Sequence, residues 1–122
     1  MYPLRRNRRL RANASIRSLV RENSITPNDF LVPLFVVEGK SIKDEIPSMP
    51  NYYRFSLDTL QAEVKILWSL GLKAVLLFVK VEDKLKDNCG TEALNPNGLM
   101  QRAIKTIKNT CPEMLAFLDR CF

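Results

Sequence analysis

Three short apolar runs without polar alternation constrain the fold of this chain more than any other feature. They read FLVPLFVV (residues 30–37), KAVLLFV (73–79) and MLAFL (114–118). Strands that are apolar on both faces are typical of a parallel sheet, whose faces are covered by helices. Pro33 stands inside the first run, where its missing N–H favours an edge strand or a bulge. The runs therefore predict the buried strands of an α/β protein.

The segments between these runs carry helical patterns. In the first helix, Ser56 is the predicted N-cap and Gly71 the predicted C-terminal cap. Asn95 and Pro96 predict the start of the second helix, and Pro112 predicts its end. The apolar positions at helical spacing are Leu57, Leu60, Val64 and Leu67 in the first helix, and Leu99, Ala103, Ile107 and Cys111 in the second. Residues 40–54 read as a long loop. The order strand, helix, strand, helix, strand predicts right-handed crossovers and a parallel sheet.

Positive charge is concentrated at the start of the chain. The net charge is +6, yet residues 1–21 hold seven arginines and no acid, and the remaining 101 residues hold 12 Lys or Arg against 13 Asp or Glu. Such a cationic arm packs on a neighbouring subunit, stays solvated, binds nucleic acid or serves as a transit peptide. Tyr2 is its single aromatic residue, so it lacks the stacking groups that accompany charge in many nucleic-acid binders.

The composition excludes several classes of protein. With 46% hydrophobic and 26% charged residues the chain is not disordered. Its longest apolar run has six residues, whereas a membrane span needs about twenty, and no secretory signal is visible. There is no histidine, and the three cysteines are irregularly spaced without a C-x-x-C pair. A disulfide framework, a histidine-based catalytic site and a zinc finger are therefore not expected.

The loop predicted over residues 80–97 is a functional candidate because it is longer than most strand-to-helix connections. Its first residue, Lys80, directly follows the predicted strand. The loop's other charged residues are Asp83, Lys84, Lys86, Asp87 and Glu92. Oxygen ligands could bind magnesium, but carboxylates that alternate with lysines favour a solvated loop.

Five runs, in order and over nearly the whole chain, resemble the N-terminal third of the delta-aminolevulinic acid dehydratases, also called porphobilinogen synthases. They read RRLRANASIRSLVREN (8–23), TPNDFLVPLFVVEG (26–39), IPSMPNYYRFSLDTL (46–60), LGLKAVLLF (70–78) and EALNPNGLMQRAIKTIK (92–108). The combination of PLFV-x-EG, SMP and NP-x-GL is specific to that family.

This resemblance implies a fold, an activity and an assembly. Residues 1–24 would be a basic arm and residues 25–122 the first βαβαβ units of a TIM (β/α)8 barrel. The family enzyme is a cytoplasmic hydro-lyase that condenses two molecules of 5-aminolevulinate to porphobilinogen, with loss of two waters, in tetrapyrrole and heme biosynthesis. It is a homo-octamer in which the arm embraces a neighbouring subunit. The arm residues expected to make these contacts are Arg5, Arg8, Arg9, Arg11, Ile16, Leu19 and Val20.

The resemblance also implies where the chemistry lies. The family's Schiff-base lysines fall beyond Phe122, so the 122-residue chain alone is expected to be inactive and Lys80 to be a surface lysine. Asp119 corresponds to a strand-end aspartate of the active site, a substrate-binding position, and Cys121 to the first of three zinc cysteines. The family uses zinc or magnesium, but one cysteine cannot make a three-ligand site, so we expect no metal on this chain alone and interpret Cys121 as a terminal thiol.

An alternative function remains open at this point. The chain could be a non-enzymatic basic module that binds nucleic acid or an acidic partner through its arginines. Nucleic-acid modules usually spread positive charge over a folded face, whereas here only the arm is cationic. The charge distribution therefore disfavours nucleic acid as the partner.

Overall fold

The three apolar runs form neighbouring parallel strands of a five-stranded sheet. The computed structural model describes residues 4–118. The strands are β1 (Leu31–Val37), β2 (Lys43–Ile46), β3 (Met49–Phe55), β4 (Ala74–Lys80) and β5 (Leu115–Leu118), and their spatial order is β2-β3-β1-β4-β5. β1 is parallel to β3 and β4, and β4 is parallel to β5, while β2 and β3 are antiparallel. The predicted α/β class, with parallel strands joined through helices, is confirmed.

The helices are α1 (Ala14–Leu19), α2 (Leu57–Ser69) and α3 (Leu99–Thr110), with short 3-10 turns at Arg9–Arg11, Pro27–Asp29, Asp83–Leu85 and Thr91–Leu94. Helix α2 lies where the sequence predicts it. Ser56 is its N-cap in an extended conformation, and Gly71, just past the end, has a φ of 89° that glycine adopts without steric cost. None of the helices in residues 4–118 has the length and apolar character needed to cross a membrane.

The predicted start of helix α3 at Asn95 and Pro96 is wrong. The helix begins at Leu99, with Gly98 as its N-cap. Residues 95–98 instead close a turn in which the Gly98 N–H donates to the Asn95 carbonyl at 3.0 Å, and the Asn97 N–H donates to Asn95 Oδ1, also at 3.0 Å. Asn95 therefore caps this turn rather than the helix, which delays the helix by one turn.

Residues 40–54 are not a long loop, as the sequence predicted, but contain the β2–β3 hairpin, which extends the sheet beyond β1. The two prolines that favoured a loop are accommodated by irregular backbone. Pro47 lies in the turn between the strands, and Pro50 lies where the register shifts after the Glu45–Tyr53 pair. A bulge of this kind tolerates a proline because the ladder is interrupted there.

Pro33 lies in β1, which has neighbours on both sides, so the prediction of an edge or a bulge is also wrong. The Pro33 carbonyl accepts a hydrogen bond from the Tyr52 hydroxyl at 2.7 Å, which orients this stretch of backbone toward β3. β3 pairs with β1 only at Phe35 and Val36. The missing N–H of Pro33 thus faces β3 at a point before the pairing of β1 with β3 begins.

The core lies between one face of the sheet and helices α2 and α3. Its most buried side chains are Val36, Val75 and Leu77 from the strands, and Leu60, Val64, Ala103 and Ile107 from the helices. The opposite face carries Phe35 stacked on Phe78, with ring centroids 5.2 Å apart. Leu31 and Phe117 on that face remain 46% and 50% exposed. Within residues 4–118 the sheet is therefore covered by helices on one face only.

Candidate functional site

The carboxyl ends of the parallel strands meet at one edge of the sheet. Two loops leave this edge: residues 38–42 follow β1, and residues 81–98 follow β4. Enzymes of the barrel class carry their active sites at the corresponding edge, which makes it the candidate site here. Asp119 and Cys121, the two residues that the resemblance assigned to substrate and metal, lie outside the described residues.

Arg102, in the first turns of α3, joins the two loops. Its Nη2 forms an ion pair with Glu38 Oε1, and its Nε donates to the Asn97 carbonyl at 3.0 Å. The neighbouring Gln101 donates from Nε2 to the Ala93 carbonyl at 3.0 Å. The paired side chains of Arg102 and Glu38 are 39% and 47% exposed, and pairs this exposed contribute about 0–1 kcal/mol. The contribution of Arg102 is therefore mainly to hold the loops in place.

The carboxylates of the long loop bond to neighbouring residues of the same loop and do not surround a common position. Asp83 pairs with Lys86 at 2.7 Å, which lowers the pKa of the Asp83 carboxyl. Asp87 Oδ1 accepts the backbone N–H groups of Cys89 and Thr91 at 3.0 and 2.9 Å, and the contacts with Thr91 lower its pKa most. No group of three potential metal ligands occurs within residues 4–118. These contacts favour the solvated-loop interpretation over a magnesium site.

The lysines of the chain are unsuited to amine catalysis. All nine lie within residues 4–118, and all are exposed, including Lys80 at the end of β4. A lysine that forms an imine near neutral pH has its pKa lowered by desolvation or by a neighbouring cation. The hydrogen bond and charge of Glu82 raise the pKa of Lys84, which is the opposite direction. The described residues thus provide no activated amine.

A polar network around the buried Ser56 lies at the same edge, between the loop after β1 and the start of α2. Ser56 is fully buried, its Oγ accepts the Ile42 N–H at 2.9 Å, and it donates to Asp58 Oδ1. Asp58 Oδ2 accepts the N–H of Ser41 at 2.8 Å. Hydrogen bonds from the Ser56 side chain, and then from the Ser41 backbone, lower the pKa of Asp58 to about 2. The sequence indicated Ser56 as the cap, but it did not indicate the bond between Asp58 and Ser41, whose φ is 56°.

This network predicts an acid-sensitive contribution to stability. Because the folded-state pKa of Asp58 is below its ordinary value of 3.8, its contribution is present above that value and is lost as pH falls toward about 2. We expect Asp58→Asn to lower the free energy of unfolding at neutral pH and to have little effect near pH 2. Ser56→Ala should cost about 1 kcal/mol or more, since it leaves the partly buried Ile42 N–H without its acceptor. Urea unfolding followed by the fluorescence of Trp68 measures both.

The control for that prediction is Asp44→Asn, which changes an exposed carboxylate on β2. The structure gives Asp44 no hydrogen bond or ion pair within residues 4–118. A loss of stability in Asp58→Asn that is equal at all pH values, or equal to that in Asp44→Asn, would contradict the role of the network.

The arm is folded locally but presents its side chains to solvent. Helix α1 begins after Asn13, whose Oδ1 accepts the Ile16 N–H at 2.9 Å. From residue 4 to residue 31 every residue except Ile16 is exposed, and Leu19 is 86% exposed. Apart from the half-buried Ile16, the arm residues singled out by the resemblance are therefore available for a contact outside this chain.

The cleft beside α3, near the candidate edge, is small: it measures about 170 Å³ and is lined by Val79, Leu99, Met100 and Ile104. Pockets that bind small molecules usually measure about 300–1,000 Å³. This cleft by itself does not form a substrate site.

Comparison with known proteins agrees with the resemblance. A family model for Delta-aminolevulinic acid dehydratase matches residues 4–122. The delta-aminolevulinic acid dehydratase of Bacillus subtilis is 44% identical over 116 residues, which are 95% of this chain and 35% of that protein. That of Methanothermus sociabilis is 42% identical over 120 residues, 98% of this chain and 37% of that protein.

A solved structure gives the same result in three dimensions. The crystal structure of the Toxoplasma gondii delta-aminolevulinic acid dehydratase (porphobilinogen synthase), in complex with the reaction product porphobilinogen, superimposes with a TM-score of 0.87 at 41% identity. The match covers 98% of this chain and 34% of that chain. This chain thus spans about a third of the length of the relatives it matches.

Proposed function

Since this chain belongs to the delta-aminolevulinic acid dehydratase family, we propose that it supplies the first third of a porphobilinogen synthase, a hydro-lyase that condenses two molecules of 5-aminolevulinate with loss of two waters. The observation that carries this proposal is the superposition of nearly the whole chain, at 41% identity, on a solved dehydratase. Neither the described residues nor the comparisons favour the alternative of a nucleic-acid-binding module.

The proposal divides the work between two parts of one barrel. The described residues contribute four parallel strands, two covering helices, and the loops held by Arg102 and by Asp58. The amine that forms an imine with 5-aminolevulinate belongs to the remaining two thirds, because every lysine here is exposed. The strands that follow β5 would close the sheet into a (β/α)8 barrel and cover its open face.

A chimera tests the proposed function. Residues 1–118 of this chain replace the corresponding segment of the Bacillus subtilis dehydratase, and formation of porphobilinogen from 5-aminolevulinate is assayed. We expect activity of the same order as that of the parent enzyme. A soluble chimera with the secondary structure and assembly of the parent, but without activity, would contradict the proposal.

The arm, residues 1–24, is proposed to pack on a neighbouring subunit of a homo-octamer. Its arginines and its exposed apolar residues support this proposal. Leu4 and Leu19 are each 86% exposed, and a contact with a neighbouring subunit would remove this apolar surface from water. Deleting residues 1–24 from the chimera should reduce the size of the assembly in sedimentation, with the circular dichroism of the remainder preserved.

Two variants separate the alternatives for the arm. Leu19→Asp should weaken the assembly as the deletion does, whereas Asn7→Asp, at an exposed polar position of the arm, should not. An assembly unchanged by the deletion, together with a loss of salt-dependent binding to duplex DNA, would instead favour the nucleic-acid interpretation.

The metal of the family, zinc or magnesium, does not fit the described residues. Residues 4–118 contain no group of three potential ligands, Cys111 is buried in the core, and the carboxylates of the long loop are paired or cap backbone N–H groups. We assign no metal to this part of the chain. Asp119 as a substrate contact, Cys121 as a zinc ligand and a cytoplasmic location remain proposals from the resemblance.

A further inference from the structure

Asn97 precedes Gly98, and this is the one Asn–Gly pair among the nine asparagines of the chain. The backbone nitrogen that follows an asparagine can attack the side-chain amide, and glycine hinders this attack least because it has no Cβ. A bond forms between Gly98 N and Asn97 Cγ, the Cγ–Nδ2 bond breaks, and ammonia leaves with the proton released by Gly98 N. Water then opens the cyclic imide at either carbonyl and leaves aspartate or isoaspartate.

The folded turn keeps the Gly98 nitrogen from attacking the side chain of Asn97. Asn97 is exposed, so water can reach its side chain, but Gly98 is buried and its N–H is bonded to the Asn95 carbonyl at 3.0 Å. Asn97 itself is held on both sides, through its N–H to Asn95 Oδ1 and through its carbonyl to Arg102 Nε, each at 3.0 Å. Attack on the side chain requires the Gly98 nitrogen to leave its partner and approach Asn97 Cγ, a movement that the two bonds to the Asn97 backbone oppose.

Packing at position 98 also favours glycine. A Cβ at position 98 would lie 2.6 Å from Gln101 Oε1 and 3.1 Å from the Asn95 carbonyl oxygen. Gln101 could move, but the carbonyl belongs to the turn itself. A side chain at position 98 would therefore make the turn widen slightly, so glycine is the residue that packs best next to Asn97.

We propose that Asn97 is a spontaneous deamidation site that the turn at residues 95–98 protects, so that conversion proceeds through local opening of this turn. The two products have different consequences. Isoaspartate lengthens the backbone by one methylene and displaces Gly98 from the Asn95 carbonyl. Aspartate keeps the backbone and places a carboxylate before α3, whose first turn has no acidic residue, where a negative charge favours the helix dipole.

The chain carries an internal reference for the test. Asn23 precedes Ser24 in an exposed segment without helix or strand, so its rate reports an unprotected asparagine. The full 122-residue chain is incubated at mildly alkaline pH, folded and in urea, and aspartate and isoaspartate at both positions are quantified by peptide mass spectrometry. We expect Asn97 to react faster than Asn23 in urea and slower than Asn23 in the folded chain. Faster reaction at Asn97 under both conditions would overturn the proposal.

A variant of the anchoring arginine provides a second measurement. Arg102→Gln removes the bond to the Asn97 carbonyl. It should raise the deamidation rate of Asn97 in the folded chain and leave the rate of Asn23 unchanged. Lys105→Gln, at an exposed position of the same helix, should change neither rate. The rates in urea should be equal in all three proteins, which separates loosening of the turn from a change in chemistry. An unchanged folded-state rate in Arg102→Gln would contradict protection by the turn. This inference does not depend on the proposed function.

Discussion

Treated with 5-aminolevulinate and borohydride, the 122-residue chain is expected to gain no covalent adduct and to form no porphobilinogen. Imine formation near neutral pH needs an amine whose pKa is lowered by burial or by a second cation, and all nine lysines here are exposed. Intact-mass spectrometry measures the adduct, with the Bacillus subtilis dehydratase treated in parallel as the positive control. An adduct on any lysine, and on Lys80 above all, would contradict this account of the chain.

The second large effect concerns the two outer strands of the sheet. β2 exposes Lys43, Asp44 and Glu45, charges of the kind that keep edge strands apart. β5 has no charged residue among Leu115–Leu118, and Leu115 and Phe117 are 55% and 50% exposed. We therefore expect the isolated chain to associate through β5 and the adjoining open face, with a light-scattering mass that rises with concentration.

Matched variants locate this association. Phe117→Lys should shift the chain toward the monomer, because it places a charge on β5, an outer strand without charged residues. Ile66→Lys makes the same kind of change at a position on helix α2 that is 53% exposed, and it should leave the association unchanged. A monodisperse, cooperatively unfolding monomer of the unmodified chain would contradict the interpretation of these strands as part of a larger sheet.

The elements that could be predicted from sequence are those with a strong local signal. β1, β4 and β5 follow from continuous apolar runs, and α2 follows from its period together with Ser56 and Gly71. The hairpin could not be predicted in this way, because Pro47 and Pro50 signal irregular backbone and because the pairing of β2 with β3 depends on a bulge. Tertiary pairing outweighed local propensity there.

Less of the candidate site could be predicted from local sequence patterns. Arg102 and Glu38 are 64 residues apart in sequence, and no periodicity brings them together. The bond between Asp58 and Ser41 likewise requires the fold, since it joins the start of a helix to a loop 17 residues earlier. The edge of the sheet at which both lie follows from strand direction alone, whereas the activity assigned to it rested on the family resemblance and not on any side chain described here.

The chimera of residues 1–118 with the remainder of the Bacillus subtilis dehydratase also allows the borohydride-trapped imine to be mapped. We propose that this chain provides the first strands and loops of the enzyme, while the reacting amine belongs to the rest. Peptide mass spectrometry after trapping with 5-aminolevulinate should therefore find the adduct on a lysine of the Bacillus subtilis portion and none within residues 1–118. An adduct on a lysine of this chain, or a folded and fully assembled chimera without any adduct, would contradict that claim.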